Sequence, residues 1–105
     1  MVVGLSFFTM EENEKLSLYR SVLGANGIAA QQMMLIEESG ELLDAVAKSH
    51  RNRATKEDII TELADVHIMV EQMAVFYGLD DFRKEKERKL QRLKCRLQEH
   101  LLTKT

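Results

Sequence analysis

Five acids stand in a pattern that could hold a metal ion: Glu37, Glu38 and Glu41 in "EESGE", and Glu62 and Asp65 in "ELAD". On a helix each residue turns by about 100°. Glu38 and Glu41, at i and i+3, therefore share a face, and so do Glu62 and Asp65. Glu37, four residues before Glu41, borders the first face. The neighbours are apolar: Met34, Leu35, Leu42 and Ala45 around the first group, and Ile59, Val66, Ile68 and Met69 around the second. Four carboxylates converging in a partly apolar cleft repel one another, and unpaired buried charge is costly. Either their pKa values rise or a cation neutralises them. An all-oxygen set favours a hard ion, Mg²⁺ with Mn²⁺ as a substitute, over zinc. Held by a few carboxylates, Mg²⁺ keeps positions for water and substrate phosphates. For either pair alone the plain alternative is a solvated helix face. Two such pairs on successive apolar helices weigh against it.

Four helices must position these acids. Thr9 followed by Glu12 has the spacing of a capping box, predicting a first helix from near Met10 that ends at Gly24. "GANG" (24–27) reads as a connection. A second helix is expected from about Ile28 to Lys48. Its apolar stripe is wide, which predicts burial on more than one side. "SHRNRA" (49–54) is a polar connector. Thr55 with Asp58 predicts an N-cap, the third helix runs from about Lys56 to Tyr77, and Gly78 suits its C-terminal cap. Asp80 or Asp81 is expected to cap a fourth helix, roughly 82–101, where Leu90, Leu93, Leu97 and Leu101 form a narrow seam. Twenty residues separate Glu41 from Glu62. That gap lets the two acid pairs face each other if the central helices run antiparallel. The expected fold is all-α: a four-helix bundle-like protomer with an antiparallel central pair, completed by oligomerisation.

Composition agrees with helices and excludes some classes. The 105 residues are 45% apolar and 30% charged with no proline, which suits one soluble, helical domain over 1–105. Cys95 is the only cysteine, so neither an internal disulfide nor a thiolate cluster is available, and a reducing cytoplasm is expected. The N-terminal "MVVGLSFF" lacks the basic start of a signal peptide, and no apolar run is long enough for a membrane span. Residues 83–104 carry nine Lys/Arg against three glutamates, a net +6, whereas residues 1–82 carry −8 of the total −2.

With "QQMMLIEESGELLDAVAK" and "DIITELADVHIMVEQM" in order, residues 28–78 resemble the EExxE…ExxD core of the MazG-like, all-α nucleoside triphosphate pyrophosphohydrolases. That resemblance implies a dimer or dimer of dimers that hydrolyses a nucleoside triphosphate to the monophosphate and pyrophosphate. It also implies Mg²⁺ on Glu38, Glu41, Glu62 and Asp65, with Glu37 near the attacking water or orienting the ligands. Lys86 and Lys89, in the basic stretch after the third helix, would meet the outer phosphates. Gln31 and Gln32, about a turn before the acids, are candidates for touching base or sugar.

Each of these has a plainer reading: a solvated basic face for Lys86 and Lys89, ordinary polar positions for the glutamines. Lys48, Arg51 and Arg53 near the connector could meet phosphate, although a solvated loop suits them too. His67 lies off the acid face and is expected to be hydrogen-bonded or at a subunit contact rather than on a metal. The competing function is a non-catalytic helical interaction module whose acids dock a basic partner. Nucleic-acid binding through Lys86, Lys89 and Arg92 ranks below both, because the leucine alternation suits packing and no aromatic stacking pattern accompanies it.

Overall fold

The computed structural model describes residues 9–104. The expectation that "MVVGLSFF" is not a signal peptide concerns residues outside them. Four helices follow one another: α1 (Glu12–Asn26), α2 (Ile28–Ser49), α3 (Lys56–Tyr77) and α4 (Leu79–Thr103). The described residues contain no strand, so the fold is all-α as expected, and no helix is long and apolar enough to cross a membrane.

Two corners are made by single glycines. Gly27 (φ 84°, ψ 155°) ends α1 and begins α2, with its N–H donating to Leu23 O at 2.9 Å. Gly78 (φ 134°) plays the same part between α3 and α4. Side chains other than hydrogen are strained in these conformations. The expected "GANG" connection therefore shrinks to one residue, and Gly24 lies inside α1. The fourth helix likewise starts earlier than predicted: Gly78 supplies the break, and Asp80 and Asp81 fall in the first turn, where the helix dipole favours them.

Thr9 does not cap α1. Its N-cap is Glu11, without a side-chain cap bond, and Glu12 is committed elsewhere, to Lys15 at 3.1 Å and to Arg83 of α4 at 3.0 Å. The α3 start matches its prediction. The Thr55 hydroxyl accepts from Asp58 N–H at 3.1 Å, and the Asp58 carboxylate accepts from Thr55 N–H at 2.8 Å. The second bond holds Asp58 below the usual carboxylate range.

α2 and α3 form the main contact, and their partners recede along α3 as α2 advances. Gln31 meets Gln72 through a 2.7 Å hydrogen bond, whereas Glu41 meets Glu62. The pair is antiparallel. α1 lies against α3 through Tyr19, whose hydroxyl donates to Glu71 Oε1 at 2.6 Å, with Lys15 Nζ 3.4 Å from Glu71 Oε2. Buried apolar residues among those described are Tyr19, Ala45, Met69 and Ala74. The expected double-sided burial of α2 is not met within one chain: Met33, Met34, Ile36 and Leu43 are exposed, as are Ile60, Leu63 and Ile68 of α3. Among the described residues, α4 packs on α3 and reaches α1 through Arg83 alone, and every residue from Asp80 to Lys104 is exposed, the leucine seam included.

Candidate metal centre

The antiparallel register brings three of the five acids together. Glu38, Glu41 and Glu62 each offer an oxygen, and these oxygens all lie within 4.8 Å of one another. Helical spacing stacks the first two on one face of α2, and α3 delivers the third from the opposite direction. Asp65, one turn along α3, stands outside this trio but close enough for its charge to act on Glu38 and Glu62. Glu37 is exposed and outside the trio.

The trio is under-compensated. Glu38 Oε2 and Glu62 Oε2 are shut off from solvent and have no hydrogen-bond partner. Their closeness to Glu41 becomes a hydrogen bond only if one of the carboxyls carries a proton. Loss of hydration pushes both Glu38 and Glu62 above the usual carboxylate range, and the charges of Glu41 and Asp65 push the same way. Stranded acceptors with no donor and no cation are costly. A divalent, oxygen-preferring cation fits this donor set: it would satisfy the stranded oxygens and reverse the electrostatic penalty with one ion.

Two cavities adjoin the trio along the α2–α3 groove. The first, about 260 Å³, has Glu38 and Asp65 at one end and extends towards the Gly27 corner. It is lined by Met34 and Met69 and by an amide chain. Asn26 Nδ2 donates to Gln31 Oε1 at 3.0 Å, and Gln31 Nε2 donates to Gln72 Oε1 at 2.7 Å. The second, about 270 Å³, has Glu41 and Glu62 in its wall and extends towards the α2–α3 connector, with Lys48 and Arg53 in its lining.

The expected nucleotide-binding glutamines part company. Gln31 lines the first cavity, whereas Gln32 points elsewhere and donates to the Tyr77 hydroxyl at 2.6 Å, tying the start of α2 to the end of α3. Lys86 and Lys89 lie on the exposed length of α4 and line neither cavity. His67 is exposed, 4.0 Å from Glu71, and apart from the trio. Asn26, Gln72, Lys48 and Arg53 complete the surroundings. Gln72 and Asn26 carry no sequence signal, because their partner Gln31 is found only once the helices are packed. Comparison with family models, curated proteins and solved structures yields no match to this chain.

Proposed function

We propose that this protein is a Mg²⁺-dependent nucleoside triphosphate pyrophosphohydrolase, cleaving (d)NTP to (d)NMP and pyrophosphate, with a role in clearing unwanted nucleotides. The observation that carries the reading is the pair of stranded, solvent-shielded oxygens on Glu38 and Glu62, met by Glu41 at ligand spacing. The resemblance of 28–78 to the EExxE…ExxD core, carried by these same acids, points to the same reading.

In this reading Glu38, Glu41 and Glu62 hold the cation, and Asp65 adds negative charge at the same place. Bound Mg²⁺ supplies neutralisation of phosphate charge and a fixed position for phosphate oxygens. Glu37, exposed beside the trio, takes the proton from the attacking water. The water oxygen bonds to the α-phosphorus while the α–β bridging oxygen leaves with the bond's electron pair as part of pyrophosphate. The chain acts in the cytoplasm, where its lone cysteine stays reduced.

We assign the functional unit to a homodimer or dimer of dimers. The uncovered apolar residues of α2 and α3 and the α4 leucine seam favour a second copy as their cover. In such an assembly, Lys86 and Lys89 could reach a neighbouring site.

A pyrophosphate-release screen over canonical and modified nucleotides tests the activity. Glu41→Gln and Glu62→Gln should each abolish release and Mg²⁺ binding together. If no nucleotide is turned over while a basic partner binds with strong salt dependence, the acidic docking module is the better reading. The buried position of the stranded oxygens speaks against that outcome, since a protein partner's lysine would meet only the exposed acids.

A further inference from the structure

The two cavities divide the acids between them. Glu38 and Asp65 line the first, and Glu41 and Glu62 line the second, so both open onto the same cluster from opposite directions along one groove. Small-molecule sites commonly occupy ~300–1,000 Å³. Each cavity falls just below that range, and a nucleoside triphosphate would need both.

Their chemistry differs. In the first, Gln31 and Gln72 are 2% and 6% exposed, and their hydrogen bonds run in one direction. The Gln72 amide nitrogen ends that chain with no acceptor among the described residues. A free amide donor in a cavity that Met34 and Met69 also line suits a flat heterocycle bearing a carbonyl or ring nitrogen.

The second cavity holds two cations whose relative placement is built into the backbone. Arg53 N–H donates to Lys48 O at 2.9 Å and Asn52 N–H to Ser49 O at 3.1 Å, with Asn52 at φ 57°. These are the paired bonds of a Schellman motif. Lys48 is paired with Asp44 at 2.7 Å, whereas Arg53 has no anionic partner among the described residues.

We infer that the nucleotide lies along this groove in one direction, its base in the amide-lined cavity and its departing pyrophosphate against Lys48 and Arg53. The inference rests on the pyrophosphohydrolase reading. It also makes pyrophosphate binding depend on a divalent cation. The second cavity is lined by Glu41, Asp44, Asp58 and Glu62 against its two cations, and without added positive charge it repels an anion.

The full-length chain tests it by steady-state hydrolysis with pyrophosphate as product inhibitor, and by calorimetric titration with magnesium pyrophosphate, which reads binding without turnover. Lys48→Met/Arg53→Met should raise KM and weaken magnesium pyrophosphate binding together, each by about tenfold or more, as loss of charged contacts does. Gln72→Met should change the ranking of bases and leave pyrophosphate binding unchanged. Asn26→Ala, at the exposed end of the chain, replaces it if the buried substitution does not fold. Unaltered pyrophosphate binding in the Lys48/Arg53 variant, with wild-type turnover intact, overturns the inference and leaves the activity standing. Failure of the wild type to turn over any nucleotide removes both.

Discussion

Tyr19→Phe removes one hydroxyl and leaves the ring in place, so it isolates the bond that ties α1 to α3. Tyr19 is 4% exposed, and its hydroxyl donates to an ionised carboxylate at 2.6 Å. Hydrogen bonds to charged groups are worth a net ~1.5–3 kcal/mol. Glu71 keeps Lys15 at 3.4 Å and is 28% exposed, so water partly replaces the lost donor. The expected cost is therefore about 1–2 kcal/mol. With urea m-values of ~1–3 kcal/mol/M, the unfolding midpoint should fall by roughly 0.3–2 M at neutral pH.

The pH dependence has a definite sign. Burial works to raise Glu71, but the Tyr19 hydroxyl and Lys15 outweigh it and hold Glu71 below its ordinary value of 4.5. The stability gained is complete above that ordinary value and is lost as pH falls through the lower folded one. Urea unfolding followed by circular dichroism should show a constant gap between wild type and variant at neutral pH, closing in acid below pH 4.5. A gap absent at neutral pH, or one that survives in strong acid, would refute the reasoning. Mg²⁺ affinity should not change, since the carboxylate that Tyr19 bonds, Glu71, is not one of the trio.

Metal-free protein should lose thermal stability as pH rises from the ordinary carboxylate value, 4.5, through the raised values of Glu38 and Glu62, and Mg²⁺ should flatten that slope; melting curves with chelator and with Mg²⁺ check it. Mg²⁺ uptake in the same pH window should release protons, measurable by calorimetry in buffers of different ionisation enthalpy. Gly27→Ala should destabilise by ~1–3 kcal/mol because of its backbone conformation, whereas Gly24→Ala, in a helix with open space at its Cβ, should stabilise by ~0.5–1 kcal/mol; denaturant unfolding gives both signs. Leu93→Lys/Leu97→Lys should dissociate an assembly seated on α4, seen by analytical ultracentrifugation, and leave helix content unchanged.

Local chemistry was readable where its consequences stayed local. The bounds of α3 follow from Thr55, Asp58 and Gly78, all within one turn of the ends they set. The start of α1 was not readable in this way, because Glu12 bonds to Arg83, 71 residues away, and Thr9 is left without its expected partner. Spacing alone identified Glu38, Glu41 and Glu62, since helical periodicity and an antiparallel return are enough to bring them together. Asp65 obeys the same periodicity yet stands just outside the trio. The amide chain depends on Gln31 meeting a residue 41 positions on, and local pattern does not report such a pairing.

α3 is uneven along its length. Its buried residues, Met69, Gln72 and Ala74, all lie towards the Gly78 end, together with the Glu71 clamp. Its unsatisfied carboxylate lies towards the connector. Amide hydrogens should therefore exchange faster in the first half of α3 than in the second, with the boundary between Glu62 and Met69. A bound cation would slow the fast half and leave the other unchanged. The helix is a rigid post at one end and a ligand-dependent one at the other, so occupancy of the site would be recorded in the backbone as well as in the side chains.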